Sequence, residues 1–283
     1  MTVINGAGVA DARTMLFVPG DRPERFAKAS ATRADLVIID LEDAVGPGHK
    51  DAARQEAARW VDTVGPAAVR INGVGASEHA ADVRALAGLP QLRAVVVPMA
   101  EDPGALVALH QRFGPQVAIV ALIETAVGMV RALEIAGATG VTRLAFGHLD
   151  FAADIDAATS DEAMRYARST LVVAARAAGL PGPVDGVTTD LTDPGRAAAD
   201  AERARGLGFT GKFCIHPAQV EAVNGAFTPD VEQVRWARRV VAASGAGGAL
   251  RVDGQMVDAP VIRRAEAVLR RAGAERDGQA QRG

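Results

Sequence analysis

Cysteine, aromatic rings and long apolar runs are all scarce in this 283-residue chain, and each scarcity narrows what the protein can be. With Cys214 the single cysteine, no intrachain disulfide framework can form, and a reducing compartment, the cytoplasm, is the expected setting. Aromatic residues make up 4% against 49% hydrophobic, so the core must be aliphatic, built mainly from alanine, valine and leucine. A formal charge of -3 offers no basic field for nucleic acid, although local basic clusters could meet a phosphate-bearing small molecule. No apolar run reaches the length of a membrane span. The opening MTVINGAGVADAR lacks a basic region followed by an apolar stretch, so no secretory signal is expected. None of His49, His79, His110, His148 and His216 falls in a zinc-like spacing.

What the chain does have is alternation. Eight short apolar runs recur, at Thr14–Val18, Asp35–Leu41, Ala67–Ile71, Leu92–Pro98, Gln116–Ile123, Thr142–Gly147, Val184–Thr188 and Gly211–Ile215. Runs this short and β-branched fit strands buried on both faces. Helix-like segments separate them, among them KDAARQEAARWV, DPGALVALHQRF, TAVGMVRALEIAG and DPGRAAADAERARGLG. Several begin with Pro, Ser, Asp or Thr and end near Gly, the expected cap asymmetry. The alternation predicts a (β/α)8 TIM barrel over residues 1–228 with a C-terminal helical extension over 229–283. A doubly wound sheet is the rival, but no GxGxxG opens a helix after the first run. In the extension, VEQVRWARRVVAAS reads as a helix, SGAGG as a break, and RVDGQMVDAPVIRRAEAVLRRAG as a turn and a helix starting near Pro260. The last residues, ERDGQAQRG, read as disordered.

Two carboxylates stand out, Glu124 after AIVALI and Asp150 after TRLAFG, both toward the carboxyl ends of their runs. In a parallel barrel those ends form the reactive face. The pair suits a Mg²⁺ shared with substrate and water, while an arginine partner is the alternative. Arg70, in VRIN, is placed to bind a carboxylate in two-point fashion or to sit in a structural ion pair. Asp40, Glu42 and Asp43, in IIDLEDAV, read for the most part as supports that hold Arg70 and nearby backbone, with orienting a metal-bound water the alternative, and Asp154 as a cap or ion pair. His79 and His110 read as surface helix positions, and His216 as a turn residue near the pocket. Lys212 sits at the start of its run, where a structural ion pair is expected rather than a Schiff base.

The stretches LFVPGDRPERFAKA, DLVIIDLEDAV with its following K..AR, VRIN, ALIETAVGM, FGHLDFAAD, GFTGKFCIHPAQV and GQMVDAP occur in order along almost the whole chain. Together they make it resemble the citrate lyase β-subunit-like (CitE-like) proteins of the HpcH/HpaI aldolase superfamily. The resemblance implies a Mg²⁺-dependent acyl-CoA lyase on a TIM barrel, usually a trimer. It places Glu124 and Asp150 as metal ligands and Arg70 on the substrate's carboxylate. Asp258, in MVDAP, would be the proton-transfer residue, reaching into a neighbouring subunit's site. Arg22 and Lys28 would lie near the phosphates of CoA, and Lys50 either there or, as is open to all three, as a solvated helix charge. The implied reaction cleaves a malyl-CoA-type or citramalyl-CoA-type thioester to acetyl-CoA and a 2-oxo acid. Alternatives are a citrate lyase β subunit acting on citryl-acyl-carrier protein, a malate synthase-like condensation, and a silent binding module. Asp156, where relatives often carry glycine, and His148 depart from the pattern and bear on substrate choice.

Overall fold

The computed structural model describes residues 7–244, 250–252 and 255–280. The chain divides into two compact units, Met1–Gly225 and Ala226–Gly283. In the first, eight parallel strands close into a barrel, β1 (Thr14–Pro19), β2 (Leu36–Asp40), β3 (Ala67–Arg70), β4 (Leu92–Val97), β5 (Ala118–Ile123), β6 (Val141–Phe146), β7 (Val184–Asp185) and β8 (Gly211–Cys214). Each strand pairs with the next, and β8 closes on β1 through Thr14, Met15 and Leu16.

Alternation along the strands sorts side chains into two layers. Ile38, Ala68, Ala94, Val96, Ala118, Val120, Leu122 and Ala145 share the interior cluster with Met15 and Phe213. The small alanines leave space that Met15, Phe213 and the branched side chains fill, so few rings suffice for this interior. At the floor, the helix Ala7–Asp11 packs under the strands, and Arg143 of β6 is fully buried there. Its guanidinium donates to the carbonyls of Val9 (3.1 Å), Ala12 (2.6 Å) and Gly182 (3.0 Å) and to Thr210 Oγ1 (2.7 Å). Burial pushes this arginine down to about 10, so it stays cationic at neutral pH, and carbonyls satisfy it.

Several boundaries differ from expectation. β7 is two residues long where five were expected, and residues 186–190 carry no regular structure. The segment TAVGMVRALEIAG breaks at Arg131 (φ -93°, ψ 9°) into helices Ala126–Val130 and Ala132–Ala136, with Arg131 Nη1 bonded to Glu101 O at 2.8 Å. Asp150 does not close β6. A turn at Gly147 starts a separate helix, His148–Asp154, and Asp150 lies in its first turn.

The second unit has its own small core, Ala237, Val240, Val257, Ala265 and Val268, shared by helices Val231–Ser244 and Ala259–Ala280. Between them lies an antiparallel hairpin, β9 (Leu250–Val252) and β10 (Gln255–Val257), where only a turn was expected. An Asp-Gly pair at 253–254 between two three-residue runs is the sequence signal for it. Disorder was expected from residue 275, but the last helix runs to Ala280. The glycine-rich residues 245–248 fall outside the described chain.

Candidate active site

Counting on by two from the interior positions Ile38, Ala68 and Leu122 brings Asp40, Arg70 and Glu124 to one axis at the carboxyl ends of their strands. Arg70 grips Asp40 at two points, Nε to Oδ1 at 2.7 Å and Nη2 to Oδ2 at 2.6 Å. Its Nη1 lies 2.8 Å from Glu42 Oε2 and 3.3 Å from Asp43 Oδ2. Phe17 of β1 lies against the guanidinium, 4.9 Å from ring centroid to carbon. Asp40 also accepts from the N–H of Glu42 (2.9 Å) and Ala44 (3.1 Å), tying the arginine to the turn that carries its partners. All three acidic residues contact Arg70, where a supporting role was expected for most of them.

Glu124 is buried, 3% exposed, and its Oε1 accepts from the Met99 N–H at 2.8 Å. Met99 holds that N–H in place from the left-handed region, φ 46°, a strained conformation for a side chain of its kind. Gly147 leaves the room the carboxylate needs, since a Cβ there would stand 2.3 Å from Glu124 Oε2. Asp150 is exposed at the mouth. Burial pushes Glu124 up to about 8; the Met99 N–H opposes the shift, and Glu42 and Asp150 add to it. Burial also raises Asp150, with Asp43 adding, and lifts Glu42 to about 7. Glu42 Oε2 is buried with no hydrogen bond, its contact with Arg70 being ionic only.

These oxygens repel one another, with Arg70 the opposing cation, and a small hard cation would relieve them. Among the described residues, no three His, Cys, Asp or Glu side chains are arranged to hold a metal ion alone. A cation here would rest on Glu124 and Asp150 and complete its shell with water or ligand oxygens, the habit of Mg²⁺.

Residues 13–217, which include all of these groups, match the HpcH/HpaI aldolase/citrate lyase family. The chain belongs to that family. It is 41% identical over 266 residues to a citrate lyase subunit beta-like protein of Mycobacterium tuberculosis, covering 91% of this chain and 94% of the relative. It is 34% identical over 261 residues to a (3S)-malyl-CoA thioesterase of Cereibacter sphaeroides, covering 87% and 89%. Among solved structures it resembles M. tuberculosis CitE in complex with magnesium, acetoacetate and coenzyme A, with a TM-score of 0.81 and 39% identity. That match covers 93% of this chain and 99% of the other.

Within the HpcH/HpaI frame the remaining candidates separate. Arg22 and Lys28 are exposed beyond β1, Arg22 3.9 Å from Asp21 and Lys28 on the helix Phe26–Ser30. Lys50 is not free for a phosphate. Its Nζ donates to Leu41 O, Glu42 O and Asn72 Oδ1, each at 2.7 Å, which uses all three protons. Asp154 accepts from the Ala126 N–H at 2.7 Å and so caps the helix after Glu124. His148 is buried against Gly186, and burial pushes it down to about 4, so it stands neutral. His216 accepts from the Ala218 N–H at 3.2 Å, a turn role.

Neither His79 nor His110 is the plain surface residue expected. His79 bonds Asn72 O at 2.8 Å, and His110 packs on the backbone of Gly140. Lys212 alternates with interior Phe213, so it faces the outer layer, 3.4 Å from Asp185. It is the structural ion pair expected. Asp156 adopts φ 52°, a conformation glycine takes freely and aspartate tolerates, which accounts for an acidic residue at that turn. Asp258 lies in the second unit, exposed, its Oδ1 accepting from the Val261 N–H at 3.2 Å as a helix cap.

Two participants escaped sequence reasoning. Met99 carries no signal, because an N–H aimed by an unusual φ can belong to any residue. Gly147 had a signal, a glycine immediately after a strand, but only the position of Glu124 explains it.

Proposed function

We propose that this chain is a Mg²⁺-dependent carbon–carbon lyase that cleaves a 3-hydroxyacyl-CoA thioester of malyl-CoA or citramalyl-CoA type. The products are acetyl-CoA and a 2-oxo acid. The observation that carries the reading is the carboxylate pair Glu124 and Asp150 sharing the barrel mouth with Arg70. The M. tuberculosis relative with magnesium, acetoacetate and coenzyme A supports it.

In this reading Glu124 and Asp150 hold the metal, which when bound stabilises negative charge developing on the oxygen of the cleaved carbon. Asp40 occupies Nε and Nη2 of Arg70, so Nη1 is the edge offered to the substrate's carboxylate, which would replace the exposed Asp43 and share that nitrogen with Glu42. The hydroxyl proton passes to water at the open mouth, the bond between the second and third acyl carbons breaks, and its electron pair passes to the thioester, leaving an enolate at the second carbon. Asp258 then delivers a proton to that carbon, giving the acetyl methyl group; in condensation it removes the same proton. Asp258 belongs to the extension, which serves a neighbouring site in a homotrimer. Arg22 and Lys28 meet the CoA phosphates. A cytoplasmic enzyme fits the composition, and no described helix is long and apolar enough to cross a membrane.

The test is a panel of free CoA thioesters with Mg²⁺, scoring acetyl-CoA release and identifying the oxo acid. Turnover of malyl-CoA or citramalyl-CoA to acetyl-CoA supports the reading. Inactivity on every free thioester, with activity restored by an acyl-carrier protein, selects a citrate lyase β subunit instead. Free CoA without carbon–carbon cleavage selects hydrolysis, the activity named for the C. sphaeroides relative.

Two substitutions separate the roles. Asp258→Asn should lower kcat by about 10²–10⁴-fold, the usual worth of a general acid or base, with Mn²⁺ affinity unchanged by calorimetry. Gly147→Ala should do the reverse, weakening Mn²⁺ binding by roughly tenfold or more because its Cβ displaces Glu124. Wild-type Mn²⁺ affinity in Gly147→Ala would show that Glu124 does not bind the ion from this position.

A further inference from the structure

The turn after β2 carries Glu42 and Asp43 and has no regular structure, yet it must hold two acidic side chains against one arginine. Like charges on a short irregular segment push it open. Lys50 counters this from behind, through the backbone. Its ammonium binds the carbonyls of Leu41 and Glu42 and reaches across to Asn72 Oδ1, two residues after Arg70. Asn72 is 5% exposed and is itself pinned, its N–H (2.9 Å) and Nδ2 (2.7 Å) both donating to Asp82 Oδ2. Asp82, 1% exposed, accepts on its other oxygen from Arg54 Nε at 2.7 Å. Arg54 is held in turn by Asp51 and Glu78. Leu41 N also donates to Arg70 O at 2.9 Å, so the same few residues fix Arg70 from its main chain and from its side chain.

We propose that Lys50, with Asn72, is a positioning residue for the substrate-carboxylate site. It sets the turn 41–45, and through that turn the angle at which Arg70 presents Nη1. The relay Arg54–Asp82–Asn72–Lys50 ties the turn to two outer helices, adding to the hold that Asp40 has on the Glu42 and Ala44 N–H groups. This rests on the reading of Arg70 as the carboxylate grip. Lys50 touches neither metal ligand, so it acts on oxo-acid binding and not on the cation.

The experiment measures Mn²⁺ binding and, with Mn²⁺ present, pyruvate and glyoxylate binding by calorimetry on the full-length protein. Lys50→Met should weaken oxo-acid binding by about 10–100-fold, the usual cost of losing a supporting partner, while Mn²⁺ affinity stays within about twofold. Lys50→Arg, which keeps the charge and donors, should recover part of the loss. In an Arg70→Lys background, Lys50→Met should cost less than about twofold more, because its effect passes through Arg70. If Lys50→Met does not fold, Asn72→Ala removes one of the three acceptors and is scored the same way. Wild-type oxo-acid binding in Lys50→Met, with Arg70→Ala impaired, overturns this inference alone. Wild-type binding in Arg70→Ala overturns the Arg70 reading and this inference with it. Equal losses of Mn²⁺ and oxo-acid affinity in Lys50→Met would mark general disruption and also overturn it.

Discussion

Glu124→Ala is expected to abolish turnover and Mn²⁺ binding together, with at least a 10³-fold fall in kcat/KM at any Mg²⁺ concentration. That figure corresponds to about 4 kcal/mol of transition-state stabilisation, within the several kcal/mol a metal supplies. Asp150→Ala should match it, and the double variant should be no worse than either, since two ligands of one ion act as a unit. Unchanged activity in the double variant would remove the metal site from the proposal. Stability distinguishes this role from a structural one. Glu124 sits in a fold that pushes its carboxyl up to about 8, so its ionised form is resisted and the metal-free protein is destabilised above the ordinary carboxylate range. Glu124→Gln keeps the shape and an acceptor for the Met99 N–H while removing that charge. In EDTA at pH 8 it should melt above the wild type, and in excess Mg²⁺ below it, because only the wild type gains binding energy. A lower melting temperature in EDTA as well would mean that Glu124 serves the fold.

The barrel was legible because its signals are periodic. Eight apolar runs with capped helices between them admit few architectures, and the inward phase of β2, β3 and β5 already aligns Asp40, Arg70 and Glu124. Asp150 was harder. It lies four residues past β6 on a helix whose existence depends on the Gly147 turn, so strand counting could not place its side chain. Lys50 illustrates the opposite error. A lysine near a CoA-linked motif reads as a phosphate contact, but its three protons go to neutral acceptors identified only by tertiary structure. Asp258 stands apart. Its motif was plain in the sequence, while its proposed work belongs to a neighbouring subunit and leaves no mark on the geometry of a single chain beyond a helix cap.

Asp185→Leu should destabilise the protein by about 3–5 kcal/mol, the cost of stripping one partner from a buried ionic group. Asp185 is 1% exposed and accepts from Arg168 Nε at 2.9 Å, with Lys212 Nζ 3.4 Å away, so its loss leaves Lys212 only the neutral Gly186 carbonyl and Arg168 only Asp161 at 3.7 Å among the described residues. β7 is two residues long, paired with β6 at Val184 and with β8 at Val184 and Asp185, so the ion pair adds to a short ladder. For a domain of this size that cost corresponds to a fall in Tm of roughly 6–20 °C. The pH dependence follows from the direction of the shift. Burial raises the carboxyl, but Lys212 and Arg168 outweigh it and hold it below the usual range. A depressed folded value means the stabilisation is complete above the unfolded value of about 3.9 and disappears as pH falls through the folded one. The Tm gap between wild type and Asp185→Asn should therefore be constant from pH 6 to 8 and narrow only below about pH 4. Replacing Asp185, Arg168 and Lys212 together by apolar residues should recover most of the stability, because it is the unpaired charge that is costly. If that triple variant also keeps Mn²⁺ binding and turnover, Lys212 has no part in the chemistry. Borohydride added with pyruvate should likewise leave Lys212 unmodified, and a reduced adduct there would place a Schiff base where the structure places an ion pair.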